Sequence, residues 1–268
     1  LLLALLITFS ASGVTPSMLQ KCDISARDKW VDSVYKSLTP RQRIGQLFVP
    51  VIYFSQDKNY KTTINRLVKE YHIGGLLFGH GSVEKYATTI NYAQSLSKTP
   101  LLITLDGEWG LSMRMKNTPR YPHNMGLGAI ANEKLLYDYG RRMAEECRML
   151  GIHVNFAPVL DVNSNPANPV IGYRSFSEDP QIVSRLAIAY SQGLEDGGVL
   201  SVGKHFPGHG DTSTDSHKEL PTVTHDVTRL DTTDLIPFKD YINAGLSGVM
   251  VGHLNVPALD NSGTPASL

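Results

Sequence analysis

Between Lys204 and His225 the chain concentrates side chains that can transfer protons or bind a small polar ligand. Four of its nine histidines lie in this stretch: His205, His209, His217 and His225. An imidazole with an unperturbed pKa of about 6.5 can give and take a proton near neutral pH. Asp215 stands two residues before His217 in a segment rich in Ser and Thr, so the two side chains can meet on a loop. A carboxylate beside an imidazole fixes its tautomer and stabilises its cation, which makes Asp215 and His217 a candidate acid–base pair.

Two other interpretations of these histidines remain open. His205 and His209 cannot bind a metal from one helix face, because Pro207 and Gly208 stand between them and prevent a helix. A metal site built by a loop stays open, since His and Asp are both suitable ligands. The acid–base pair could also consist of incidental polar residues on a solvated loop.

The elements that must position these residues are strands that alternate with helices. A capping box from Thr39 to Gln42 predicts the start of a helix before the first strand. Hydrophobic periodicity predicts six strands, the fourth together with its loop: Gln46–Ile52, Leu76–Phe78, Leu101–Leu105, Ile152–Val162, Val199–Val202 and Gly248–Val251. Helical patterns between them predict parallel βαβ units.

Polar residues stand at the C-terminal ends of several predicted strands: Asp106, Asp161, Lys204 with His205, and His253. Barrels of the (β/α)8 type build their active sites at those strand ends. A doubly wound sheet usually carries a Gly-rich phosphate loop, and no G-x-G-x-x-G motif follows a predicted strand here. We therefore predict an α/β fold, a TIM-type (β/α)8 barrel that is incomplete in this chain, with about six βα units.

The segment Lys204–Asp211, with Asp215-Ser216-His217, closely resembles the signature of glycoside hydrolase family 3 in its β-N-acetylglucosaminidase branch. The resemblance covers about residues 38–260. It includes further motifs: Ile44–Leu47 (IGQL), Gly74–Leu76 (GGL), Asp106–Glu108 (DGE), Asn155–Val162 (NFAPVLDV) and Arg174–Pro180 (RSFSEDP).

The resemblance implies a role for each candidate residue. His217, oriented by Asp215, would be the general acid/base that protonates the leaving oxygen and later activates water. Lys204 and His205 would bind sugar hydroxyls. Asp106 would accept hydrogen bonds from the non-reducing sugar, and Arg174 would donate to the same ring. No cofactor and no metal are implied.

For three residues the sequence leaves the role open. Arg174 could form a structural ion pair with Glu178 or Asp179. Asp161 could line the pocket or order its loop through Asn163 and Asn165. His253 could face the pocket or be structural. For a fourth residue, His209, we expect a role in bracing the backbone of its own loop.

Two departures from the family pattern stand out. Trp109-Gly110 follows Glu108 where the family usually has two glycines, which bears on the shape of the loop. The carboxylate nucleophile of a retaining enzyme is expected beyond Leu268, because the resemblance places it at the end of a seventh strand. Asp260 precedes Asn261-Ser262-Gly263 and is predicted to lie in a turn. We expect the sequence to be truncated at its C-terminus, with a further C-terminal domain left open.

The function implied is a retaining glycoside hydrolase that removes terminal β-linked N-acetylglucosamine from oligosaccharides or cell-wall fragments. A glycoside phosphorylase of the same family and a non-catalytic sugar-binding fragment are the alternatives. The 25 basic and 25 acidic residues give a formal net charge of +0, which provides no electrostatic footprint for nucleic acid or an anionic membrane. A neutral carbohydrate partner fits this composition.

The first residues differ from the rest. Leu1–Phe9 is an apolar run followed by small residues, which is typical of a secretory signal. It is too short to span a bilayer, which needs about 20 apolar residues. We predict a signal peptide and leader over residues 1–22, a barrel domain over residues 23–268, and an exported protein that is periplasmic or secreted. A buried first strand is the alternative for the apolar run.

Overall fold

A parallel six-stranded sheet is the centre of the fold in the computed structural model, which describes residues 22–212 and 220–268. Its strands are β1 (Val51–Ile52), β2 (Gly75–Phe78), β3 (Leu102–Leu105), β4 (Val154–Asn155), β5 (Leu200–Phe206) and β6 (Gly248–Val251). Each strand pairs with the next in the chain, in the order β1-β2-β3-β4-β5-β6. This sequential order is that of a barrel wall, whereas a doubly wound sheet reverses its strand order. Within the described ranges no ladder joins β6 to β1, so the predicted incomplete (β/α)8 barrel is confirmed.

Nine α-helices occur in the described residues: α1 (Ile24–Ser37), α2 (Pro40–Gly45), α3 (Tyr60–Lys69), α4 (Val83–Leu96), α5 (Asn124–Ile130), α6 (Glu133–Met149), α7 (Pro180–Asp196), α8 (Val227–Arg229) and α9 (Ile236–Asn243). A π-helical turn, Leu230–Asp234, joins α8 to α9. Strands and helices share one core, in which Leu76, Ile103, Leu105, Met143 and Leu186 are fully buried. That shared core holds the strand ends at fixed positions.

Several local predictions agree with the structure and some do not. The capping box at Thr39 is present, because Thr39 Oγ1 accepts from the Gln42 backbone and the Gln42 side chain accepts from the Thr39 backbone. The sixth strand has the predicted bounds. The first strand does not begin at Gln46, because Leu47 and Phe48 donate to carbonyls of α2 and continue its last turn.

The fifth strand is longer than predicted. It continues past Val202 to Phe206, so Lys204 and His205 belong to the strand itself and do not follow it. Lys204 pairs with Met250 of β6 and also forms a bridge with Val159. The Lys204–His205 and Phe206–Pro207 peptide bonds are both cis.

Residues 1–21 lie outside the described residues, so the signal peptide stays a prediction. In the part of the chain that the structure describes, no helix has both the length and the apolar character of a membrane span. Cys147 is fully buried in α6, on the apolar face where the helical pattern places it.

Candidate active site

Lys204 is the centre of a buried charged group at the C-terminal ends of β3 and β5. Its Nζ lies 2.6 Å from Asp106 Oδ1 and 2.7 Å from Glu108 Oε1. The side chains of Lys204 and Glu108 are only 2% and 1% exposed, whereas that of Asp106 is 23% exposed. Asp106 therefore presents carboxylate surface toward solvent, while Lys204 and Glu108 hold it from below.

Arg174 joins the same group from a 3₁₀ turn, Gly172–Arg174. Its Nε and Nη2 donate to the two oxygens of Glu108 at 2.9 and 2.7 Å, a bidentate pair with defined geometry. The alternative in which Arg174 pairs with Glu178 or Asp179 is therefore wrong. Glu108 belongs to the quoted DGE motif, but no role was predicted for it. The signal was available, because two carboxylates spaced i, i+2 after a strand project toward the same side.

Asp106 has a second cationic neighbour, Arg114, whose guanidinium forms an ion pair with it and also donates to the Asp106 backbone carbonyl at 3.1 Å. Arg114 was not predicted as a site residue. Two carboxylates thus share three cations, and the local excess of positive charge favours ionised carboxylates. This arrangement offers charged acceptors and donors to a ligand rich in hydroxyl groups.

The pKa values of the group follow from burial opposed by ion pairing. Burial alone would raise the pKa of Glu108, but Lys204 and Arg174 lower it well below its ordinary value. The pKa of Asp106 is lowered in the same way, chiefly by Lys204 against the effect of burial. Burial would lower the pKa of Lys204, and the two carboxylates raise it instead. All three side chains are therefore charged at neutral pH.

His205 is held by Asp161, a fully buried carboxylate after β4. Asp161 Oδ2 lies 2.7 Å from His205 Nδ1, and the two oxygens also accept the backbone N–H of His205 at 3.2 and 3.3 Å. Asp161 Oδ1 accepts the His209 backbone N–H at 2.7 Å. With Nδ1–H donating to Asp161, Nε2 of His205 is the acceptor nitrogen of the ring, and Arg174 Nη2 lies 3.4 Å from it.

Asp161 therefore takes neither of the roles considered for it. It is too buried to line a pocket, and its carboxylate contacts the His205 and His209 backbone, with no bond to Asn163 or Asn165. Its effect on a ligand would be indirect, through the orientation of His205.

His209 is 1% exposed. Its Nδ1 lies 2.5 Å from Thr212 Oγ1, and its carbonyl accepts from Asn168 Nδ2 at 2.8 Å. Burial lowers the pKa of its imidazole. These contacts tie the loop after β5 to the loop after β4.

Two candidates at the periphery lie outside the charged group. His253 is exposed and its Nδ1 lies 2.5 Å from Ser267 Oγ. Asp260 accepts the Ser262 backbone N–H at 2.9 Å and lies in the predicted turn.

Asp215 and His217 lie outside the described residues, which omit residues 213–219. Asp211 and His225 flank that segment, and His225 Nε2 contacts Asp211 Oδ2. Their contact joins the loop after β5 to the residues before α8. Among residues 22–212 and 220–268, no three His, Cys, Asp or Glu side chains converge as a metal-binding group.

Comparison with known proteins identifies the family. Residues 39–268 match the glycosyl hydrolase family 3 N terminal domain. The chain belongs to this family.

Its relatives include named enzymes and solved structures. Beta-hexosaminidase A of Pseudoalteromonas piscicida is 42% identical over 213 residues, which cover 74% of this chain and 36% of that protein. Beta-hexosaminidase LpqI of Mycobacterium tuberculosis is 37% identical over 235 residues, or 86% of this chain and 58% of that protein. The family 3 β-N-acetylglucosaminidase structure from Paenibacillus sp. str. FPU-7 superposes with a TM-score of 0.79 at 38% identity, over 85% of this chain and 44% of that one. The chain thus spans less than two thirds of the length of these relatives.

Proposed function

We propose that this family 3 domain belongs to a retaining β-N-acetylhexosaminidase that removes terminal β-linked N-acetylglucosamine from oligosaccharides or cell-wall fragments. The observation that carries the proposal is the charged group of Asp106, Glu108, Arg174 and Lys204 at the strand ends, in a chain 42% identical to a β-hexosaminidase. NagZ from Neisseria gonorrhoeae, solved with N-trifluoroacetyl-D-glucosamine, superposes with a TM-score of 0.71 at 33% identity, over 81% of this chain and 66% of that one. That ligand is an N-acylated glucosamine.

The charged group suits the terminal sugar. Asp106 would accept hydrogen bonds from ring hydroxyls, because its carboxylate is ionised and partly exposed. Lys204 and Arg174 would donate to the same ring, and His205 would contact it through Nε2. Charge-assisted hydrogen bonds are roughly twice as strong as neutral ones, so a few of them can orient one sugar.

Rates of hydrolysis of two substrates, one with and one without the N-acetyl group, test the substrate class. The protein, expressed from its whole reading frame, is expected to hydrolyse an aryl N-acetyl-β-glucosaminide faster than the matching aryl β-glucoside. Asp106→Asn should raise KM for the preferred substrate, because it removes the charge from the acceptor. Equal rates on both glycosides would contradict the proposal.

For proton transfer we assign His217 as general acid/base and Asp215 as the residue that orients it. A general acid matters most when the leaving group is a poor one that needs the proton. His217→Ala is therefore expected to slow hydrolysis of alkyl glycosides far more than that of nitrophenyl glycosides. Equal losses across leaving groups would reject the acid assignment.

Export is part of the proposal and rests on Leu1–Phe9 alone. The mature protein should be recovered from the periplasm or medium with a new N-terminus after this run. Recovery from the cytoplasm with the run intact would contradict it.

A glycoside phosphorylase is the second candidate, and one observation favours it. A beta-glucoside phosphorylase, BglX bound to 2FGlc, superposes with a TM-score of 0.82 at 26% identity, over 90% of this chain and 44% of that one. Adding phosphate to the assay separates the reactions. A rate that rises with phosphate and yields the sugar 1-phosphate would replace hydrolysis with phosphorolysis.

A further inference from the structure

Three aromatic rings form a cluster, and two of them belong to residues next in sequence to members of the charged group. The ring centroids of Trp109 and His123 are 4.6 Å apart, and those of His123 and Tyr173 are 4.5 Å apart. Tyr173 is 55% exposed, and Trp109 and His123 are partly exposed. We call these three residues the aromatic rim.

The aromatic rim is fixed to the residues that form the candidate active site. Trp109 follows Glu108 and Tyr173 precedes Arg174, so two of the rings are attached to the two partners of the bidentate ion pair. The Asn124 side chain, next to His123, donates to the Arg174 carbonyl at 2.7 Å. This bond and the ion pair hold the backbone that carries the aromatic rim next to the charged group.

Exposed aromatic rings are suited to one surface of a sugar. The C–H groups of a pyranose form a weakly apolar face, and an aromatic ring supplies a flat surface with a negative quadrupole on which that face packs. The charged group supplies hydrogen bonds to hydroxyls, whereas the aromatic rim offers ring faces. The two surfaces therefore suit two different parts of one carbohydrate.

We propose that the aromatic rim binds the second saccharide unit of the substrate, on the leaving-group side of the bond that is cleaved. This inference rests on the proposed function, in which the terminal sugar occupies the charged group. The substrate then continues from the anomeric carbon of that sugar, and the next ring must lie outside the charged group. The aromatic rim is an exposed surface joined to the charged group through the backbone of Glu108 and Arg174.

Intrinsic fluorescence tests binding without catalysis. The chain has two tryptophans, Trp30 and Trp109. Trp30 lies in α1 beside Pro100 and Leu101, at the end of the sheet where the strands begin, so Trp30→Phe removes the other tryptophan of residues 1–268 without touching the site. The part of the emission change that a further Trp109→Phe substitution abolishes is the part that Trp109 reports. An S-linked disaccharide of N-acetylglucosamine, which resists hydrolysis, should change Trp109 emission more than N-acetylglucosamine does. The protein with Tyr173 should also bind this disaccharide about tenfold more tightly than the Tyr173→Ala variant does.

Kinetics supply a second measurement on the O-linked disaccharide and an aryl N-acetyl-β-glucosaminide. Tyr173→Ala should lower kcat/KM about tenfold more on the disaccharide than on the aryl substrate. Tyr173→Phe keeps the ring and should retain most of the disaccharide activity, and Trp30→Phe should match the parent on both substrates. A Tyr173→Ala loss that is equal on both substrates would mean that the substitution disturbs Arg174, and it would overturn the subsite.

The two experiments distinguish this inference from the proposed function. Hydrolysis of both substrates with no effect of Tyr173→Ala rejects the aromatic subsite and leaves the hydrolase intact. Disaccharide binding that depends on Tyr173 in a protein that hydrolyses neither substrate keeps the subsite and rejects the hydrolase. No Trp109 response to the disaccharide rejects the subsite in either case.

Discussion

Lys204 Nζ lies 2.6 Å from Asp106 Oδ1, although the two residues are 98 positions apart in the chain. The contact joins the C-terminal end of β3 to β5, past the intervening strand β4. Lys204 also contacts Glu108 at 2.7 Å, so one buried ammonium serves two carboxylates. The stability of the barrel and the geometry of the candidate active site therefore depend on the same side chain.

Replacing Lys204 by Met is expected to destabilise the protein by about 3–5 kcal/mol, because Asp106 and Glu108 lose their shared cation while Glu108 stays buried. Urea denaturation measures the change. Lys239→Met is the matched control, since Lys239 pairs with Asp231 at 2.8 Å on the surface, with side chains 50% and 58% exposed. That substitution should change stability by about 1 kcal/mol or less. Similar losses from the two variants would contradict the assigned role of Lys204.

Glu108 should make stability depend on pH in the acid range. Its folded pKa is lowered below the ordinary 4.5, chiefly because Lys204 and Arg174 outweigh burial, so its contribution is present above pH 4.5 and is lost as the pH falls below it. The parent should exceed Glu108→Gln in stability at pH 6, and this difference should shrink by about 2 kcal/mol at pH 3. Unfolding curves at both values measure it. Glu133→Gln is the control, since Glu133 forms an exposed ion pair with Arg185, and its stability should change with pH as that of the parent does. A stability difference between the parent and Glu108→Gln that is the same at pH 6 and pH 3 would argue against an ionised Glu108.

Periodicity and strand-end logic predicted the strands and the convergence of Asp106, Lys204 and His205, because buried parallel strands are apolar runs bounded by turn residues. The end of β5 was missed for the same reason. Lys204 interrupts the apolar run, and its burial is stabilised only by carboxylates from another strand. A hydrophobic pattern predicts that a strand ends where a lysine interrupts it, whereas Lys204 is buried within β5.

The partners of the site residues were harder to predict than the residues themselves. Arg174 has Glu178 and Asp179 nearby in sequence, but it binds Glu108, which is 66 positions away. Asp161 likewise binds the His205 backbone, 44 positions away, and not its neighbours Asn163 and Asn165. Ion pairs of this kind depend on how loops from different strands pack, and single-sequence spacing carries no signal for that.

Asp161→Asn tests the positioning of His205. The buried carboxylate accepts the His205 and His209 backbone N–H groups and the His205 ring, and an amide offers one acceptor oxygen in place of two. At least one donor would lose its partner, at a cost of about 1–3 kcal/mol. Because His205 is proposed to contact the terminal sugar directly, Asp161→Asn should raise KM for an aryl N-acetyl-β-glucosaminide about tenfold or more, with a smaller effect on kcat.

Asp138→Asn is the control for that measurement, since Asp138 lies on the exposed face of α6 in an i, i+4 pair with Lys134. Its kinetic constants should equal those of the parent. A drop in kcat at unchanged KM in Asp161→Asn would mean that His205 acts in the chemical step and not in binding.

The packing of α6 against α7 provides a prediction that is independent of the active site. The helices approach so closely at Gly193 that an added Cβ would lie 2.1 Å from the Tyr137 carbonyl oxygen. Gly193→Ala must push the helix backbones apart and should destabilise the protein by about 2 kcal/mol or more. Gly126→Ala, in α5, meets nothing closer than 3.9 Å and should stabilise by about 0.5–1 kcal/mol, because alanine loses less backbone entropy in a helix. Thermal unfolding of the two variants should therefore shift in opposite directions, and a downward shift for both would mean that helix approach does not limit the residue at position 193.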